Sequence, residues 1–305
     1  MKRNDRKKDR PSPGKAKTIV FQVKENSQLL TFLLEQLPSK SRTKIKLLLS
    51  AKRILVDGQS VSQFDHPLVP GQKVEIGNEK AVPQKNIQDY EIVYEDQDIV
   101  VISKPAGLLS IATENEKRAT AYSGLSDHVK KQDPSNKIFI VHRLDRETSG
   151  LMLFAKSELV KRKLQDSWDD TVIDRSYVAV VEGSVEKPSG VVVSYLFEDK
   201  SFRVHSSPIP GKGKKAVTRY TVLKKSKNYT LLKLNLETGR KNQIRVHAQE
   251  IGHSVAGDKK YGAVTNPIRR LALHARQLAF IHPVSGEKLN FETAIPSAFL
   301  RLFKI

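Results

Sequence analysis

One short segment carries most of the residues that could do chemistry. Residues 142–150 place a single carboxylate, Asp145, between Arg143 and Arg146, and the apolar, strand-like run 151–155 follows at once. A carboxylate held in a turn against rigid structure and flanked by guanidinium groups is expected to stay ionised near neutral pH. Such a group can act as a nucleophile, and the arginines suit a polyanionic substrate. The alternative is a surface loop with local ion pairs, which contribute little to stability.

The segment reads His-Arg-Leu-Asp-Arg-Glu-Thr-Ser-Gly and resembles the signature of the RluA-type RNA pseudouridine synthases. In that signature an aspartate usually stands where this chain has Glu147. Further similarity follows in the family's order over roughly residues 90–297, and it favours the catalytic interpretation over a surface loop. In one further block Lys241 and Asn242 replace the usual Thr-His pair. The further blocks are 104–109, 177–183, 238–247, 257–262 and 271–275.

The resemblance implies conversion of uridine to pseudouridine in RNA. This reaction breaks a nitrogen–carbon glycosidic bond, turns the uracil and joins the sugar to carbon 5 of the base. It needs no redox change and no net uptake of water, so we expect neither a cofactor nor a metal. The histidine spacing agrees, because His247 and His253 are six positions apart and His274 and His282 are eight apart. Neither spacing is typical of paired metal ligands.

Three residues have catalytic roles implied by the resemblance. Asp145 would bond covalently to the ribose or remove a proton from it, and both routes stay open. Arg245 would pair with Asp145 and keep it ionised, whereas without the resemblance it is an arginine on a helix surface. Tyr177 would stack on the uracil or assist proton removal from carbon 5, the alternative being a tyrosine packed in the core. Stacking is favoured over proton removal, since a phenol with an unshifted pKa is a poor base near neutral pH.

The other polar residues of these blocks have supporting roles. Arg143 would fill the space that an extruded base leaves, or bind an adjacent phosphate. His142 is interpreted as a hydrogen-bonding group that fixes the loop rather than as a catalyst. Arg146 would serve structure or phosphate binding. His247 lies on an apolar helical pattern and is interpreted as a core histidine.

Charge and composition limit the class of protein. The chain has 305 residues, with 53 lysines and arginines against 33 acidic residues, a net charge of +20. This balance indicates a polyanionic partner, with nucleic acid favoured over a merely soluble basic protein or an anionic membrane surface. The absence of cysteine excludes disulfides, thiolate catalysis and cysteine-bound metals. With no apolar run long enough to span a bilayer and no signal-peptide core, we expect a cytoplasmic protein.

The chain is predicted to contain four segments. Residues 1–17 carry eight basic and two acidic side chains and form a basic, disordered tail. Residues 18–78 form a small α+β RNA-binding domain, and residues 79–88 form a linker. Residues 89–305 form the catalytic domain, an α+β fold around a large, mostly antiparallel mixed sheet, as short strands with irregular helices suggest and the resemblance implies.

The small domain is predicted from its pattern of leucines and turns. Leucines at positions 30, 33, 34 and 37 mark one helix, capped by Asn26 or Ser27, and a second, basic helix follows. Residues 54–61 read as a hairpin with an Asp-Gly turn. This pattern resembles the ribosomal S-four type of RNA-binding domain, although Ser-Gln-Leu-Leu replaces its usual Arg-Leu-Asp. The residues expected to contact RNA are Lys40, Arg42, Lys44, Lys46, Lys52 and Arg53.

Two alternatives remain at this stage. The first is a non-catalytic RNA-binding or ribosome-assembly protein on the same scaffold, and the second is a DNA-binding protein. The sequence favours ribosomal RNA as substrate and leaves transfer RNA possible, because RNA recognition depends on loops and splayed bases rather than on a linear code. We expect a monomer with no obligate protein partner.

Overall fold

The computed structural model describes residues 19–50, 53–76, 90–113, 116 and 120–303. The chain forms two compact units, Met1–Lys85 and Asn86–Ile305. The predictions of a basic tail, of a linker and of an RNA contact at Lys52 fall outside the described residues. Within the described part of the chain, no helix is both long and apolar enough to cross a bilayer.

The first unit combines a small antiparallel sheet with two helices. The order of its four-stranded sheet is β1-β6-β3-β4, and β2 pairs with β5. Its strands are β1 (Ile19–Gln22), β2 (Ser27–Gln28), β3 (Ile54–Val56), β4 (Gln59–Ser60), β5 (Pro67–Leu68) and β6 (Lys73–Ile76), and its helices are α1 (Leu29–Gln36) and α2 (Arg42–Ser50).

The leucine pattern and the Asp-Gly turn shape this unit as predicted. Leu29, Leu33 and Leu49 are buried with residues of β3 and β6 in one apolar core. Asp57 and Gly58 have φ values of 49° and 80°, which suit a tight hairpin turn between β3 and β4. The predicted helix cap is wrong. The N-cap residue of α1 is Gln28 and makes no side-chain cap hydrogen bond, because residues 27–28 are already paired in a strand.

The second unit is built on an 11-stranded sheet. Nine strands follow the order β13-β12-β14-β15-β11-β16-β10-β8-β7, while β17 pairs with β16 and β9 with β10. The strands are β7 (Glu91–Glu95), β8 (Ile99–Lys104), β9 (Phe139–Ile140), β10 (Ser149–Ala155), β11 (Val172–Glu182), β12 (Ser189–Glu198), β13 (Val204–Ser207), β14 (Lys214–Lys225), β15 (Tyr229–Leu236), β16 (Leu273–Ile281) and β17 (Lys288–Glu292). The predicted α+β fold with a large, mostly antiparallel mixed sheet is confirmed.

Strand β10 occupies the interior of this sheet and carries the signature segment at its start. All seven of its residues are buried, as expected for an apolar run covered on both faces. It pairs antiparallel with β8 and parallel with β16. The parallel contact passes through Gly150, whose φ is 115° and where an added Cβ would lie 2.0 Å from the Ala275 carbonyl oxygen. Only glycine allows the two strands to approach so closely.

Helices flank the sheet. They are α3 (Ala121–Gln132), α4 (Glu158–Asp166), α5 (Trp168–Thr171), α6 (Gln243–Glu250) and α7 (Ser297–Leu300), with 3-10 turns at Lys259–Tyr261 and Arg301–Phe303. Ser157 caps α4 as predicted, its hydroxyl accepting the Val160 N–H at 3.2 Å. Trp168 does not continue α4 as predicted, because that helix ends at Asp166 and a separate short helix begins at Trp168.

Candidate active site

Asp145 lies in the loop between β9 and β10, and its neighbours in the loop fix its backbone. The Thr148 N–H donates to the Asp145 carbonyl at 3.1 Å and closes a turn. The Ser110 hydroxyl donates to the Leu144 carbonyl at 2.7 Å and accepts the Leu144 N–H at 3.2 Å. The residue before Asp145 is therefore held from both sides, and the carboxylate is presented by a stiff turn.

The residue after Asp145 is held by the end of β8. The carbonyl of Arg146 accepts the Gly107 N–H at 2.8 Å and the Lys104 ammonium at 3.1 Å. Lys104 is 1% exposed and also donates to the carbonyls of Pro105 at 2.9 Å and Leu108 at 2.7 Å. Burial lowers the pKa of Lys104 to about 8, against the raising effect of nearby carboxylates. Residues 104–109 resemble a block of the family, but the sequence does not indicate that Lys104 anchors the loop of Asp145.

Helix α6 brings two donors to the carboxylate of Asp145. Arg245 Nη1 donates to Asp145 Oδ2 at 3.1 Å, and Asn242 Nδ2 donates to the same oxygen at 2.6 Å. Asp145 is 34% exposed and Arg245 is 14% exposed. The pairing expected of Arg245 is therefore present in the structure. The sequence gives no sign of this contact from Asn242, which stands where histidine is usual in the family signature.

A buried carboxylate orients Arg245. Its Nε and Nη2 donate to the two oxygens of Asp258 at 2.6 and 2.8 Å, in a bidentate pair that fixes the guanidinium plane. The Arg245 guanidinium carbon lies 4.9 Å from the ring centroid of Tyr261. Burial alone would lower the pKa of Arg245, but Asp258 and Asp145 raise it above its usual value. Arg245 is thus a fixed, permanent cation, and Asp258 is a supporting residue that the sequence analysis did not single out.

Asn242 is oriented by a chain of hydrogen bonds in which each group donates to the next one toward Asp145. The Val204 N–H donates to the Tyr261 hydroxyl oxygen at 3.3 Å, and that hydroxyl donates to Asn242 Oδ1 at 3.1 Å. The amide nitrogen of Asn242 is left to face Asp145. Asn242 is also the N-cap of α6 and has φ 54°, a left-handed conformation that asparagine tolerates better than most residues.

These residues line one cleft with Tyr177. The cleft has about 390 Å³ of empty volume, part of it open to solvent, and Asp145, Tyr177 and Arg245 all contribute to its walls. Tyr177 is 7% exposed, and burial raises the pKa of its hydroxyl, with Arg175 opposing and Asp145 adding to the shift. A phenol with a raised pKa is a weaker acid, which favours stacking over proton removal as its role. The exposed Arg143 also lines the cleft.

The remaining residues of the blocks make structural contacts. His142 Nε2 accepts the Leu153 N–H at 3.0 Å, and burial, then Arg175, lowers its pKa to about 3. Arg146 donates through Nε to the Gly107 carbonyl at 3.0 Å. His247 is 1% exposed and lies within hydrogen-bonding distance of Ser194 and Thr218, as a satisfied core histidine should.

Comparison with known proteins gives the family. The RNA pseudouridylate synthase profile matches residues 98–250, which include the loop of Asp145 and helix α6. An uncharacterised RNA pseudouridine synthase of Bacillus subtilis, YlyB, is 34% identical over 87% of this chain and 89% of its own length. The chain belongs to the RluA-type RNA pseudouridine synthases. This synthase is also 33% identical to the ribosomal large subunit pseudouridine synthase D of Neisseria meningitidis, over 90% of this chain and 77% of that protein.

The fold of the synthase is shared with a solved human structure. Human RNA pseudouridylate synthase domain containing 4 superposes with a TM-score of 0.57 at 24% identity, covering 68% of this chain and 90% of the human one. Because the matching family and the relatives of 30% identity or more are RNA pseudouridine synthases, the synthase is an enzyme, an isomerase that acts on RNA. The alternative of a DNA-binding protein is wrong, because family and relatives agree on RNA.

One cluster in the described part of the synthase has the composition of a metal site. It contains Asp96, Asp98 and His282. His282 Nδ1 accepts the N–H groups of Val284 and Ser285 at 3.3 and 3.0 Å, so the proton sits on Nε2, 3.2 Å from Asp96 Oδ2. A metal would have to displace that proton. Among the described residues Nε2 has no hydrogen-bond partner, so its approach to Asp96 is a close contact and not a hydrogen bond.

Proposed function

We propose that Asp145 is the group that reacts with the ribose of the target uridine. The observation that carries this proposal is the placement of both donors, Arg245 and Asn242, on one oxygen of Asp145 at the wall of the cleft. Among the described residues, Oδ1 has no hydrogen-bond donor, so it is the oxygen available to substrate. An anion with one oxygen held and one oxygen open is oriented for reaction without being neutralised on both sides.

The chemistry requires a carboxylate at this point. Breaking the bond between N1 of uracil and C1′ of ribose builds positive character on the sugar, which an adjacent carboxylate stabilises. Asp145 then bonds to the sugar or removes a proton from it, and the two routes remain alternatives. The base turns and C5 bonds to C1′ as the bond between Asp145 and the sugar breaks or, on the other route, as the removed proton returns to the sugar. The proton that leaves C5 balances the one that N1 gains.

The other predicted residues assist this reaction. We propose that Tyr177 stacks on the uracil inside the cleft, since its ring is in the wall and its raised pKa disfavours proton removal. Arg143 stands exposed at the cleft, which suits filling the space of the extruded nucleotide or binding a neighbouring phosphate. Arg245 holds Asp145, and Asn242 adds a second, neutral donor.

Replacement of Asp145 tests the proposal. Asp145→Asn keeps the shape of the side chain but removes its charge, so it should abolish release of a hydrogen label from carbon 5 of uracil in RNA while RNA binding persists. Asp166→Asn, at an exposed position on α4, serves as the matched control and should retain full activity. Normal turnover by Asp145→Asn would refute the role of Asp145.

We propose that the substrate is ribosomal RNA of the large subunit. Support comes from relatives such as the Neisseria meningitidis protein, which is named for that RNA. Pseudouridine maps of RNA from cells with and without the gene test this directly, and loss of a transfer RNA site would redirect the proposal to that substrate. An unchanged map of ribosomal RNA would refute this assignment of the substrate.

We further propose that residues 18–78 supply general RNA affinity and residues 89–305 the catalysis. Arg42, Lys44 and Lys46 are exposed on α2, while Lys40 and Arg53 are half-buried. Exposed cations on one helix suit contacts with phosphates, which position RNA without reading its sequence. The enzyme is proposed to act in the cytoplasm as a monomer, and gel filtration together with cell fractionation would test both statements.

A further inference from the structure

A second depression adjoins the catalytic cleft, and none of its lining residues touches the carboxylate of Asp145. It has about 910 Å³ of empty volume, including space open to solvent, and we refer to it as the flanking groove. The side chains in its walls that carry the argument are Phe197, Glu198, Lys214, Arg240 and Lys241.

We propose that the flanking groove binds the nucleotide next to the target uridine, with its phosphate on Arg240 and Lys214 and its base stacked on Phe202. The inference deepens the proposed function, since it assumes that the uridine enters the cleft of Asp145. It adds a binding subsite for a single-stranded RNA segment and names its aromatic platform.

Continuity with the catalytic cleft supports this assignment. Arg240 lines both the cleft and the flanking groove. Lys241, the next residue, lines the groove, and Asn242 after it touches Asp145 at 2.6 Å. An RNA strand whose uridine reaches Asp145 therefore has its neighbouring nucleotide at the side of Arg240, where the groove begins.

The charges of the groove suit a phosphate. Three cationic side chains and one carboxylate line it, and the carboxylate, Glu198, already pairs with Lys241. Arg240 donates from Nε to the Lys215 carbonyl at 3.1 Å, which fixes its guanidinium. Its two terminal amino groups have no partner among the described residues and remain available for phosphate oxygens.

Phe202 has the position and exposure of a stacking platform. It is 72% exposed, although burying such a ring is normally favourable. Its φ of 59° is in the left-handed region, which a bulky residue rarely adopts. Lys241 Nζ lies 5.7 Å from the ring centroid, so the ring stands beside the groove.

A tight turn keeps the ring in this exposed position. Asp199 Oδ1 accepts the N–H groups of Ser201 at 2.8 Å and Arg203 at 3.0 Å, and the Asp199 carbonyl accepts the Phe202 N–H at 3.0 Å. The backbone strain is thus supported by local hydrogen bonds, and strain of this kind is often found at functional sites. Stacking of an RNA base on the exposed ring of Phe202 would account for this strained turn.

The experiment is a cycle of direct binding measurements on the full chain. The probe is a large-subunit ribosomal RNA stem-loop that the enzyme modifies in vitro, compared with two versions that lack the base 5′ or 3′ of the target uridine. Phe202→Ala should weaken binding of the intact RNA roughly tenfold or more, since base–aromatic stacking contributes that much. It should have no further effect on one of the two abasic RNAs.

Two further variants make the result decisive. Leu159→Ala removes another exposed apolar side chain and should bind all three RNAs like the wild type. Phe202→Gly suits the left-handed backbone and covers the case in which Phe202→Ala does not fold. Because RNA binding does not require Asp145 to react, the outcome of these binding measurements does not depend on the outcome of the activity test with Asp145→Asn. Equal weakening of all three RNAs, or no weakening of any, would overturn the proposal.

Discussion

At the scale of single residues, the site depends on which atom of Asp145 is held. Arg245 and Asn242 share Oδ2, so a charged and a neutral donor act on the same oxygen. The neutral donor is itself fixed by Tyr261. The amide of Asn242 orients the carboxylate of Asp145 and adds no charge. A carboxylate of the same shape at position 242 would have no N–H to donate and would add a negative charge.

Asn242→Asp should lower kcat by roughly tenfold or more, because it removes a donor and places a second carboxylate against Asp145. KM for RNA should change little. Asparagine and aspartate both tolerate the left-handed backbone, so the fold should survive. Single-turnover label release at saturating RNA measures the effect.

Two further variants define the outcome of that experiment. Asn242→His restores the usual family residue and an N–H donor, so it should keep activity within a few-fold of the wild type. Gln132→Glu makes the same amide-to-acid change against Glu95, which accepts from Gln132 at 3.1 Å, and should leave kcat unchanged. If Asn242→Asp turns over normally, Asn242 does not orient the carboxylate of Asp145 for the reaction proposed above.

The sequence could predict three residues that line the cleft but not the residues that support them. Asp145, Tyr177 and Arg245 were named from family blocks, and all three line the cleft. Asn242 and Lys104 were within matching blocks too, but their contacts reach 97 and 42 residues along the chain. Such contacts depend on strand order and on the conformation at a helix start, and local patterns give neither.

At the scale of elements, two strands of the sheet approach each other tightly at Gly150. Gly150→Ala should destabilise the protein on the order of 3 kcal/mol, because the new Cβ would lie 2.0 Å from the Ala275 carbonyl oxygen and backbone must move. Urea unfolding measures the loss. Gly286→Ala, also at positive φ but with no atom within 4 Å, isolates the backbone cost and should lose only about 1 kcal/mol. Equal losses would show that packing at Gly150 is not tight.

A histidine on β16 links three segments and should make stability depend on pH. His274 lies 2.9 Å from the Ser149 hydroxyl and 2.8 Å from the Thr293 hydroxyl, and burial, then Arg270 and Arg276, lowers its pKa to about 4. Between pH 6.5 and 4 the unfolded chain binds a proton that the folded protein does not. Stability should therefore be complete above pH 6.5 and fall on the order of 3 kcal/mol by pH 4.

The variant His274→Gln tests this pH dependence. Glutamine keeps a donor and an acceptor but does not titrate, so free energies of unfolding from urea titrations should fall less steeply between pH 6.5 and 4 than in the wild type. Parallel slopes for His274→Gln and the wild type would contradict the assignment.

Elements with strong local signals were predictable. The hairpin at Asp57 and Gly58, the strand after Asp145 and the helix after Ser157 all formed where turn and cap residues indicated. The order of the 11 strands was not predictable, because the parallel contact of β10 with β16 joins segments more than 100 residues apart. Local periodicity carries no information on such pairing.

At the scale of the whole molecule, the net charge of +20 is partly carried by α2. Joint replacement of Lys44 and Lys46 by glutamine should raise KM for RNA roughly tenfold and make the dependence of log affinity on log salt shallower by about 1 to 2. The value of kcat at saturating RNA should not change. Replacement of Lys130 and Lys131, exposed at the end of α3, removes the same charge and should leave the salt slope intact. Identical salt slopes for the two double variants would argue against an RNA contact localised on α2.

The sequence separation within the site has a consequence for biosynthesis. Asp145 emerges from the ribosome about 100 residues before Asn242 and Arg245, and the partner strand of β10 emerges later still. A nascent or prematurely terminated chain can therefore display the complete signature segment and yet lack both groups that orient its carboxylate. We therefore expect a chain that ends before Asn242 to be inactive on RNA, even though it carries the whole signature segment.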